Sequence, residues 1–306
     1  MGMTIPFTKM VGAGNDFVII DTNRSALPSR ARQWPAISKA LCDRHRGIGA
    51  DGVLVLEPSD AADVTMRAFN PDGSEAQMCG NGARCVARYL TQDARRTTRD
   101  ARGRRVTIAT QAGILCAQVK GRRIAMRMTD PTELELGLAL DVGRRKVRLG
   151  FVNTGVPHAV VPVERLDQLD VSRLGRLLRY HRLFSPRGSN VNFIQADPKR
   201  TNRVRVRTYE RGVEDETLAC GTGVAAAAVI HALRSRHDGH GRRRRIEVET
   251  RSGDVLTVSL VITGRGRTRR VSDVVLEGPA VRVFDGAIDW PPHPGRSAVG
   301  GPRRIR

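Results

Sequence analysis

The sequence has few aromatic residues and no long apolar run. Only 4% of its 306 residues are Phe, Trp or Tyr, but 40% are hydrophobic overall, so a sizeable core is still feasible. No segment approaches the roughly 18 apolar residues that a membrane-spanning helix requires, and the first residues lack the apolar block of a signal peptide. We therefore expect a soluble, cytoplasmic protein of about two domains without a membrane partner.

Cysteine is also scarce, which limits the redox and metal chemistry that the chain can support. The five cysteines are Cys42, Cys79, Cys85, Cys116 and Cys220. An odd number without a C-x-x-C pair argues against a disulfide framework and against a zinc site. We expect free thiols and no bound metal.

Positive charge is abundant, and arginine supplies nearly all of it. The chain has 52 Lys and Arg residues against 31 Asp and Glu, a formal charge of +21, yet only five of the basic residues are lysines. Such a charge is typical of phosphate-binding proteins. However, the arginine runs at Arg95–Arg105, Arg242–Arg245 and Arg265–Arg270 contain no aromatic residue that could stack on bases. We expect no nucleic-acid partner.

Short segments rich in β-branched residues outnumber helical patterns, which predicts an α+β fold. Helices are predicted at Pro35–Arg44, Gly82–Gln92, Ser172–Tyr180 and Gly223–Arg234. Strands are predicted at Phe17–Asp21, Gly52–Glu57, Val64–Phe69, Val106–Thr110, Ile114–Val119, Phe151–Asn153, Ala159–Val163, Val191–Gln195, Val204–Tyr209, Ile246–Thr250, Val255–Val261 and Val274–Leu276. Residues 285–306 are crowded with Pro, Gly and Arg, and they predict a flexible tail.

The chain contains a weak internal repeat. In both copies a strand leads through a loop to a Cys-Gly-x-Gly motif and then to a helix; the motif begins once at Cys79 and once at Cys220. Asn15 stands 64 positions before Cys79, and His158 stands 62 positions before Cys220. A duplicated domain is the simplest account. Two facing halves would place both cysteines at a shared cleft, where small-molecule sites tend to form.

The paired cysteines have a chemical interpretation. At a helix start, unpaired backbone N–H groups and the helix dipole favour negative charge, so we expect the pKa of each thiol to be lowered. A thiolate and a thiol on opposite faces of one carbon form the base and the acid that inversion at an amino-acid Cα requires. Alternatively, a Cys at a tight helix entry is simply a small buried residue. Two such cysteines in matching contexts favour the catalytic interpretation.

The sequence does not indicate a cofactor. Pyridoxal phosphate requires a Schiff-base lysine, and none of the five lysines lies in the repeated motifs. The segment Gly12-Ala13-Gly14 lacks the third glycine and the following helix of a dinucleotide-binding fingerprint. We expect catalysis without a cofactor.

Six blocks of the sequence, in this order, resemble the diaminopimelate epimerase family. They are KMVGAGNDFVIID, RHRGIGADGVLVLE, FNPDGSEAQMCGNGARC, NTGVPHAVV, RGSNVNFIQ and TYERGVEDETLACGTG, and the resemblance extends from about Thr8 to about Phe284. It implies a cofactor-independent, two-thiol epimerase that interconverts LL- and meso-2,6-diaminopimelate, a precursor of lysine and of peptidoglycan. The substrate would be the small molecule diaminopimelate.

The resemblance also implies a fold. It consists of two pseudo-symmetric α+β domains, each a curved mixed β-sheet wrapped around a central helix, with the active site in the cleft between them. The N-terminal half would comprise residues 1–125 and the C-terminal half residues 126–273. A strand at about 274–284 would return to the first half, before the tail at 285–306. The sequence allows a homodimer without indicating one.

By the same resemblance, Cys79 and Cys220 are the catalytic acid and base. The implied substrate-binding residues are Gly80, Asn81, Gly221 and Thr222 at the reacting carboxylate, His158 and Glu210 beside the reacting amino group, and Asn15, Asn70, Asn190 and Arg211 elsewhere on the substrate. Asn70 and Asn190 could instead be turn residues.

Two residues depart from the family's pattern. Val156 and Gly52 stand where some members carry Asn and Gln, and these departures weaken the prediction of the substrate more than that of the reaction. One alternative is a related cofactor-independent amino-acid racemase of changed specificity. Another is a basic nucleic-acid-binding protein with a degenerate enzyme fold. The intact motifs favour the epimerase.

Overall fold

A computed structural model of the chain describes residues 3–24, 33–92, 98–100, 103–143, 145–235 and 241–290, which contain four α-helices and 19 β-strands. The helices are α1 (Trp34–Cys42), α2 (Gly80–Leu90), α3 (Val171–Arg179) and α4 (Gly221–Arg234). The strands are β1 (Met3–Gly12), β2 (Asn15–Asp21), β3 (Gly52–Glu57), β4 (Val64–Phe69), β5 (Glu75–Ala76), β6 (Thr98–Asp100), β7 (Gly103–Thr110), β8 (Gly113–Lys120), β9 (Arg123–Arg127), β10 (Thr132–Val142), β11 (Arg145–Asn153), β12 (Pro157–Pro162), β13 (Asn190–Ala196), β14 (Arg203–Glu210), β15 (Asp215–Thr217), β16 (Arg243–Glu249), β17 (Val255–Thr263), β18 (Arg270–Pro279) and β19 (Val281–Trp290).

The first half is a curved mixed sheet around α2. Strands β1 and β2 are antiparallel, β2 and β3 parallel, β3 and β4 antiparallel, and β4 and β7 parallel. Antiparallel pairs then connect β7 to β8 and β8 to β9. Helix α2 packs against strands from both ends of this series, including β1, β2, β8 and β9. The sheet therefore encloses the helix.

The second half repeats this pattern around α4. Strands β11 and β12 are antiparallel, β12 and β13 parallel, β13 and β14 antiparallel, and β14 and β16 parallel, followed by antiparallel β16–β17 and β17–β18 pairs. The short strands β5 and β15 occupy equivalent places, each antiparallel to the strand before it. The predicted α+β fold of two pseudo-symmetric halves is thus confirmed.

The central helices are buried because the sheets surround them. All residues of α4 from 223 to 233 are buried, and most have small side chains, which let the strands approach closely. Helix α2 is buried along most of its length too, but its buried residues include a charged one, Arg84. Within the described ranges, none of the helices has the length and apolar character needed to cross a membrane.

Two strands connect the halves, and the end of the described chain corrects one prediction. Strand β18 pairs with both β17 and β9, so the two sheets are continuous. After Ala280, β19 returns to the first half and pairs with β1 over its whole length. The tail predicted for residues 285–306 is therefore wrong for residues 285–290, because pairing with β1 holds them in a strand. Residues 291–306 lie outside the described ranges.

Candidate active site

Cys79 lies at the start of α2, at its N-cap position. Its backbone is extended, and its sulfur accepts a hydrogen bond from the backbone N–H of Gly82 at 3.3 Å. A Cβ atom added at Gly82 would lie 2.9 Å from a methyl carbon of Leu54, so glycine lets the helix start approach β3 closely. The Cys-Gly-x-Gly motif thus allows α2 to begin directly against β3, with the thiol at its first turn.

Cys220 occupies the equivalent position at the start of α4. Its backbone is also extended, and its sulfur lies 3.4 Å from Oγ1 of Thr222. A Cβ atom added at Gly223 would lie 2.4 Å from Oδ1 of Asn192, so the second motif also allows a close approach. Cys79 is partly exposed, whereas Cys220 is buried.

The structure brings the two helix starts together. Asn81, two residues after Cys79, donates from Nδ2 to the carbonyl oxygen of Ala219 at 3.3 Å. Ala219 immediately precedes Cys220. A Cβ atom at Gly221 would lie 3.8 Å from Oδ1 of Asn81, and α2 contacts α4 directly. The predicted juxtaposition of the two motifs therefore occurs in the folded chain.

Burial, rather than the helix start, dominates the pKa of both thiols. Burial raises the pKa of Cys220 to about 12, and the negative charge of Glu210 adds to the effect. Burial also raises the pKa of Cys79, although the backbone N–H of Gly82 and the positive charge of Arg84 oppose it. The lowered values expected from the sequence are thus wrong, because loss of hydration disfavours a thiolate more than the helix start favours it.

His158 is completely buried beside the second helix start, and its tautomer is defined by Asn192. The Asn192 amide donates to the carbonyl oxygen of Ala159 at 3.3 Å and lies 3.0 Å from Nδ1 of His158, while its oxygen accepts from Thr208 at 3.0 Å. Nδ1 is therefore the acceptor and Nε2 carries the proton. Nε2 has no hydrogen-bond partner among the described residues. Burial and the charge of Arg211 lower the pKa of His158 to about 3, so the ring is neutral.

Glu210 and Arg211 follow at the end of β14. Thr217 donates to Oε2 of Glu210 at 3.0 Å, and burial raises the pKa of this carboxyl. The backbone N–H of Arg211 donates to Oδ1 of Asn190 at 2.8 Å, and Asn190 donates to the carbonyl oxygen of Pro157 at 3.2 Å. Asn190 is therefore a strand residue that ties the His158 segment to Arg211, and not a turn residue.

The two remaining predicted residues lie in the first half. Asn15 donates to Oδ2 of Asp51 at 3.0 Å and accepts from Asn81 at 2.7 Å, so it belongs to the group around the helix starts. Asn70 is exposed in the turn after β4, where its amide donates to Oγ of Ser74 at 2.9 Å. The structure supports the turn interpretation for Asn70, although its place in the repeat corresponds to that of Glu210.

Duplicated ion pairs support the loops that carry the cysteines. Arg67 on β4 makes a two-bonded contact with Glu75 on β5, at 2.8 and 2.7 Å. Arg207 on β14 makes the same contact with Glu216 on β15, at 2.7 and 2.6 Å. Such planar, two-bonded pairs restrict orientation strongly. Each pair ties a cysteine-bearing loop to the preceding strand.

Sequence reasoning missed several of these supporting residues. Asn192 could have been found, because it lies in a predicted strand, two positions after the predicted site residue Asn190. Residues two positions apart in a strand face the same side. Arg67 and Arg207 occupy the same place in the repeat and could have been found by aligning its copies. Arg84 and Asp51 gave no such signal, because their roles depend on contacts with distant residues. Among the described residues no three His, Cys, Asp or Glu side chains cluster as a metal site would require.

Comparison with known sequences identifies a family match. The family model described as diaminopimelate epimerase matches residues 7–134 and 150–282. A diaminopimelate epimerase of Aquifex aeolicus is 40% identical over 290 residues, which covers 92% of this chain and 97% of that protein. One of Archaeoglobus fulgidus is 40% identical over 298 residues, covering 94% and 97%.

Comparison with solved structures supports the same fold. A phenazine biosynthesis protein of the PhzF family from Bacillus anthracis matches with a TM-score of 0.69 at 20% identity, covering 94% of this chain and 99% of that one. A hydroxyproline epimerase from Agrobacterium vitis, with trans-4-hydroxy-L-proline bound, matches with a TM-score of 0.65 at 19% identity, covering 94% and 93%.

Proposed function

Because the chain belongs to the diaminopimelate epimerase family, we propose that it interconverts LL- and meso-2,6-diaminopimelate without a cofactor, using Cys79 and Cys220 as its two acid–base groups. One observation carries the proposal: two cysteines from pseudo-symmetric halves lie at helix starts that the Asn81–Ala219 hydrogen bond joins. Two thiols from separate halves suit one reacting carbon between them.

The proton transfers follow from this arrangement. One sulfur, as thiolate, takes the proton from the substrate Cα, and the C–H electron pair remains on the substrate as a carbanion. The other sulfur, as thiol, gives its proton to the opposite face of that carbon. The configuration inverts, the two sulfurs exchange protonation states, and proton exchange with solvent restores them.

The helix starts suit the negative charge of the reacting carboxylate. The first N–H groups of an α-helix have no partner within the helix, and they bind anions. Here these groups belong to Gly80 and Asn81 in α2 and to Gly221 and Thr222 in α4. As electron density moves from Cα toward the carboxylate in the transition state, preorganised donors stabilise it.

The His158 tautomer changes the role inferred from the resemblance. Nε2 of the neutral ring carries a proton, so it donates to an anionic or neutral acceptor and not to a substrate ammonium group. The carboxylate of the substrate or a cysteine thiolate fits that donor. The buried carboxyl of Glu210 is then the partner of the reacting amino group, whose positive charge would offset the burial that raises the pKa of Glu210.

The far end of the substrate is assigned to Arg211 and Asn190. No described carboxylate forms an ion pair with Arg211, and its backbone is held by Asn190. A guanidinium group of this kind suits a second carboxylate through two parallel hydrogen bonds. Asn70 lies in an exposed turn, so it would contact the substrate only from the solvent side.

Deuterium incorporation tests the two-thiol mechanism. If one group removes the proton and a second, solvent-equilibrated group returns one, product formed in deuterated water carries deuterium from its first turnover. Residual substrate remains largely protiated. Mass spectrometry of both isomers at low conversion measures this, and early product without deuterium would refute the mechanism.

Substrate comparison separates the epimerase from the alternative racemase. A site that binds a second amino-acid group with buried polar residues rejects analogues lacking that group, because those residues are left unpaired. We expect turnover of LL-diaminopimelate to exceed that of lysine and of proline by at least about 10³-fold. Faster turnover of proline would instead indicate a racemase. The departures from the family's pattern at Val156 and Gly52 would then be candidates for the change of substrate.

Two further expectations accompany this proposal. The enzyme would act in the cytoplasm, and the sequence allows a dimer of two copies of the chain without indicating one. Cell fractionation with an antibody tests the first, and light scattering of the purified protein tests the second.

A further inference from the structure

Arg84 is a buried cation that the proposed reaction does not yet use. Its side chain is fully buried in α2, and it is among the largest side chains in the core. No described carboxylate forms an ion pair with it, and its Nε has no hydrogen-bond partner among the described residues. Buried arginines are rarely left without a counter-charge, because loss of hydration strongly disfavours an unpaired cation.

The position of Arg84 points to the junction between the halves. A Cβ atom added at Gly278 of β18 would lie 3.2 Å from its Nε, so the guanidinium group lies beneath the strand that connects the two sheets. One terminal nitrogen donates to Oδ1 of Asn81 at 2.6 Å, and the other lies 3.4 Å from the carbonyl oxygen of Gly80. These are the two residues directly after Cys79.

This contact determines which way the Asn81 amide faces. Arginine has only donors, so the oxygen of Asn81 must face it, and the amide nitrogen then faces the two acceptors Asn15 Oδ1 and Ala219 O. At the other end, Asn15 donates to the carboxylate of Asp51, which has only acceptors. A cation at one end and an anion at the other therefore align both amides in one direction, and such chains strengthen cooperatively.

Arg84 also lies close enough to Cys79 for its charge to favour the thiolate there. The other groups that act on this pair are Cys85 on the same helix, Asp254 before β17 and Glu210 at the end of β14. Glu210 opposes ionisation of Cys79, whereas Arg84 promotes it.

We propose that Arg84 is a positioning residue for the epimerisation: it aligns the Asn81 amide that joins the two cysteine-bearing turns, and it supplies the positive charge that balances the thiolate of Cys79. The thiolate is then the counter-charge that no described carboxylate supplies to the guanidinium group. This inference rests on the proposed function for its catalytic part only.

Three variants test the two roles. R84M removes the charge and the donors, R84K keeps the charge but loses the planar fork, and R88M removes an arginine one turn later whose hydrogen bond among the described residues goes to the carbonyl oxygen of Gly121. Melting temperatures are measured first. Turnover is then measured with LL-diaminopimelate, and the rate of alkylation of Cys79 by iodoacetamide is measured between pH 7 and 11 by peptide mass spectrometry.

We expect R84M to lower kcat about 100-fold with a smaller change in KM, as loss of a preorganised charged donor does. Its alkylation midpoint at Cys79 should rise by about one pH unit, because a nearby cation has been removed. R84K should keep the native midpoint but lower kcat about tenfold, and R88M should change neither quantity. A merely structural arginine would alter the melting temperature and leave the midpoint unchanged.

Several results would overturn the proposal. Native kcat in R84K would overturn the alignment role, whether or not R84M folds. A folded R84M with the native alkylation midpoint would overturn the charge role. Since alkylation requires no substrate, a native protein that fails to convert diaminopimelate would refute the proposed function and still leave the influence of Arg84 on Cys79 measurable.

Discussion

The two halves share a scaffold but place different chemistry around their cysteines. In the first half, Phe17 pairs with Gly52 at the start of two parallel strands; in the second, His158 pairs with Asn190 at the equivalent place. Most of the titratable groups that the proposal places on the substrate therefore come from the second half. A duplicated fold supplies two matched thiols, and a substrate with one reacting centre then requires different neighbours around each.

The surroundings of the two cysteines differ in the same way. Cys220 is 8% exposed, and the negative charge of Glu210 is the main factor after burial in raising its pKa. Cys79 is partly exposed, and Arg84 opposes the effect of burial on it. The first half thus favours a thiolate more than the second.

Among the variants that test the difference between the halves, those that remove either thiol should show the largest effect. We expect C79A and C220A each to lose at least about 10³-fold in epimerisation rate, because inversion requires both groups. Each variant keeps a base on one face only, so it should exchange solvent deuterium into one stereoisomer, and the two variants should prefer opposite isomers. Mass spectrometry measures the exchange, and C116A serves as the control. If both variants labelled the same isomer, the sulfurs would not act from opposite faces.

The next largest effect should be on stability at low pH, and it should come from the buried His158. Its pKa is about 3 in the folded chain and ordinarily about 6.5, so between these values the unfolded chain binds a proton that the folded chain does not. Its contribution to stability is complete above pH 6.5 and is lost as the pH falls toward 3. The native protein should therefore lose up to about 1.4 kcal/mol more per pH unit than H158N in that window.

Melting temperatures at pH 7, 6, 5 and 4 measure this difference in slope. H45N, which replaces an exposed histidine of the first half, should follow the native curve. Parallel curves for the native protein and H158N would mean that the folded chain binds the proton of His158 as readily as the unfolded chain does, which would contradict the lowered pKa.

Alkylation should distinguish the two thiols by about tenfold. Cys79 is partly exposed and Cys220 is buried with a pKa of about 12, so iodoacetamide at pH 8 should modify Cys79 first. Peptide mass spectrometry gives the two rates, and protein unfolded in urea should show nearly equal ones. Equal rates in the folded protein would contradict the difference between the halves.

Substitution of the arginine in each of the duplicated Arg–Glu pairs should give the smallest effect, a difference in stability between the two variants. Arg207 also donates to the carbonyl oxygens of Leu166 and Leu169 at 2.9 and 3.0 Å, whereas the further contact of Arg67, with Glu57, is longer at 3.4 Å, so R207M loses more hydrogen bonding than R67M. We expect R207M to lose about 1 kcal/mol more stability than R67M, a difference of a few degrees in melting temperature. R205M, whose pair with Asp167 is largely exposed, should change little. A greater loss in R67M would reverse the expected order.

The sequence predicted the helices and the repeat well because both depend on local signals. The four helices begin and end within three residues of the predicted positions. Strand β1 was missed because Pro6 interrupts its pattern. In the structure Pro6 pairs only with β19, while pairing with β2 begins at Thr8, so its missing N–H breaks no bond on that side.

The energetics of the site could not be predicted from the sequence. A helix start lowers a thiol pKa and burial raises it, and only the packed structure decides which effect is larger at Cys220. The alignment of Asn81 with Ala219 depends on how the halves face each other, and no spacing in the sequence contains that information.

The pairing of β1 with β19 has a consequence for how the protein is made. Oγ1 of Thr8 donates to the carboxylate of Asp285, 277 positions later in the chain. During translation the first half can enclose α2 only partly, since one strand of its sheet has not yet been synthesised. Contacts of such sequence separation slow folding. Until β19 is synthesised, the edge of β1 that pairs with it therefore stays unpaired. Such an edge can bind a chaperone or pair with the same edge of another nascent chain.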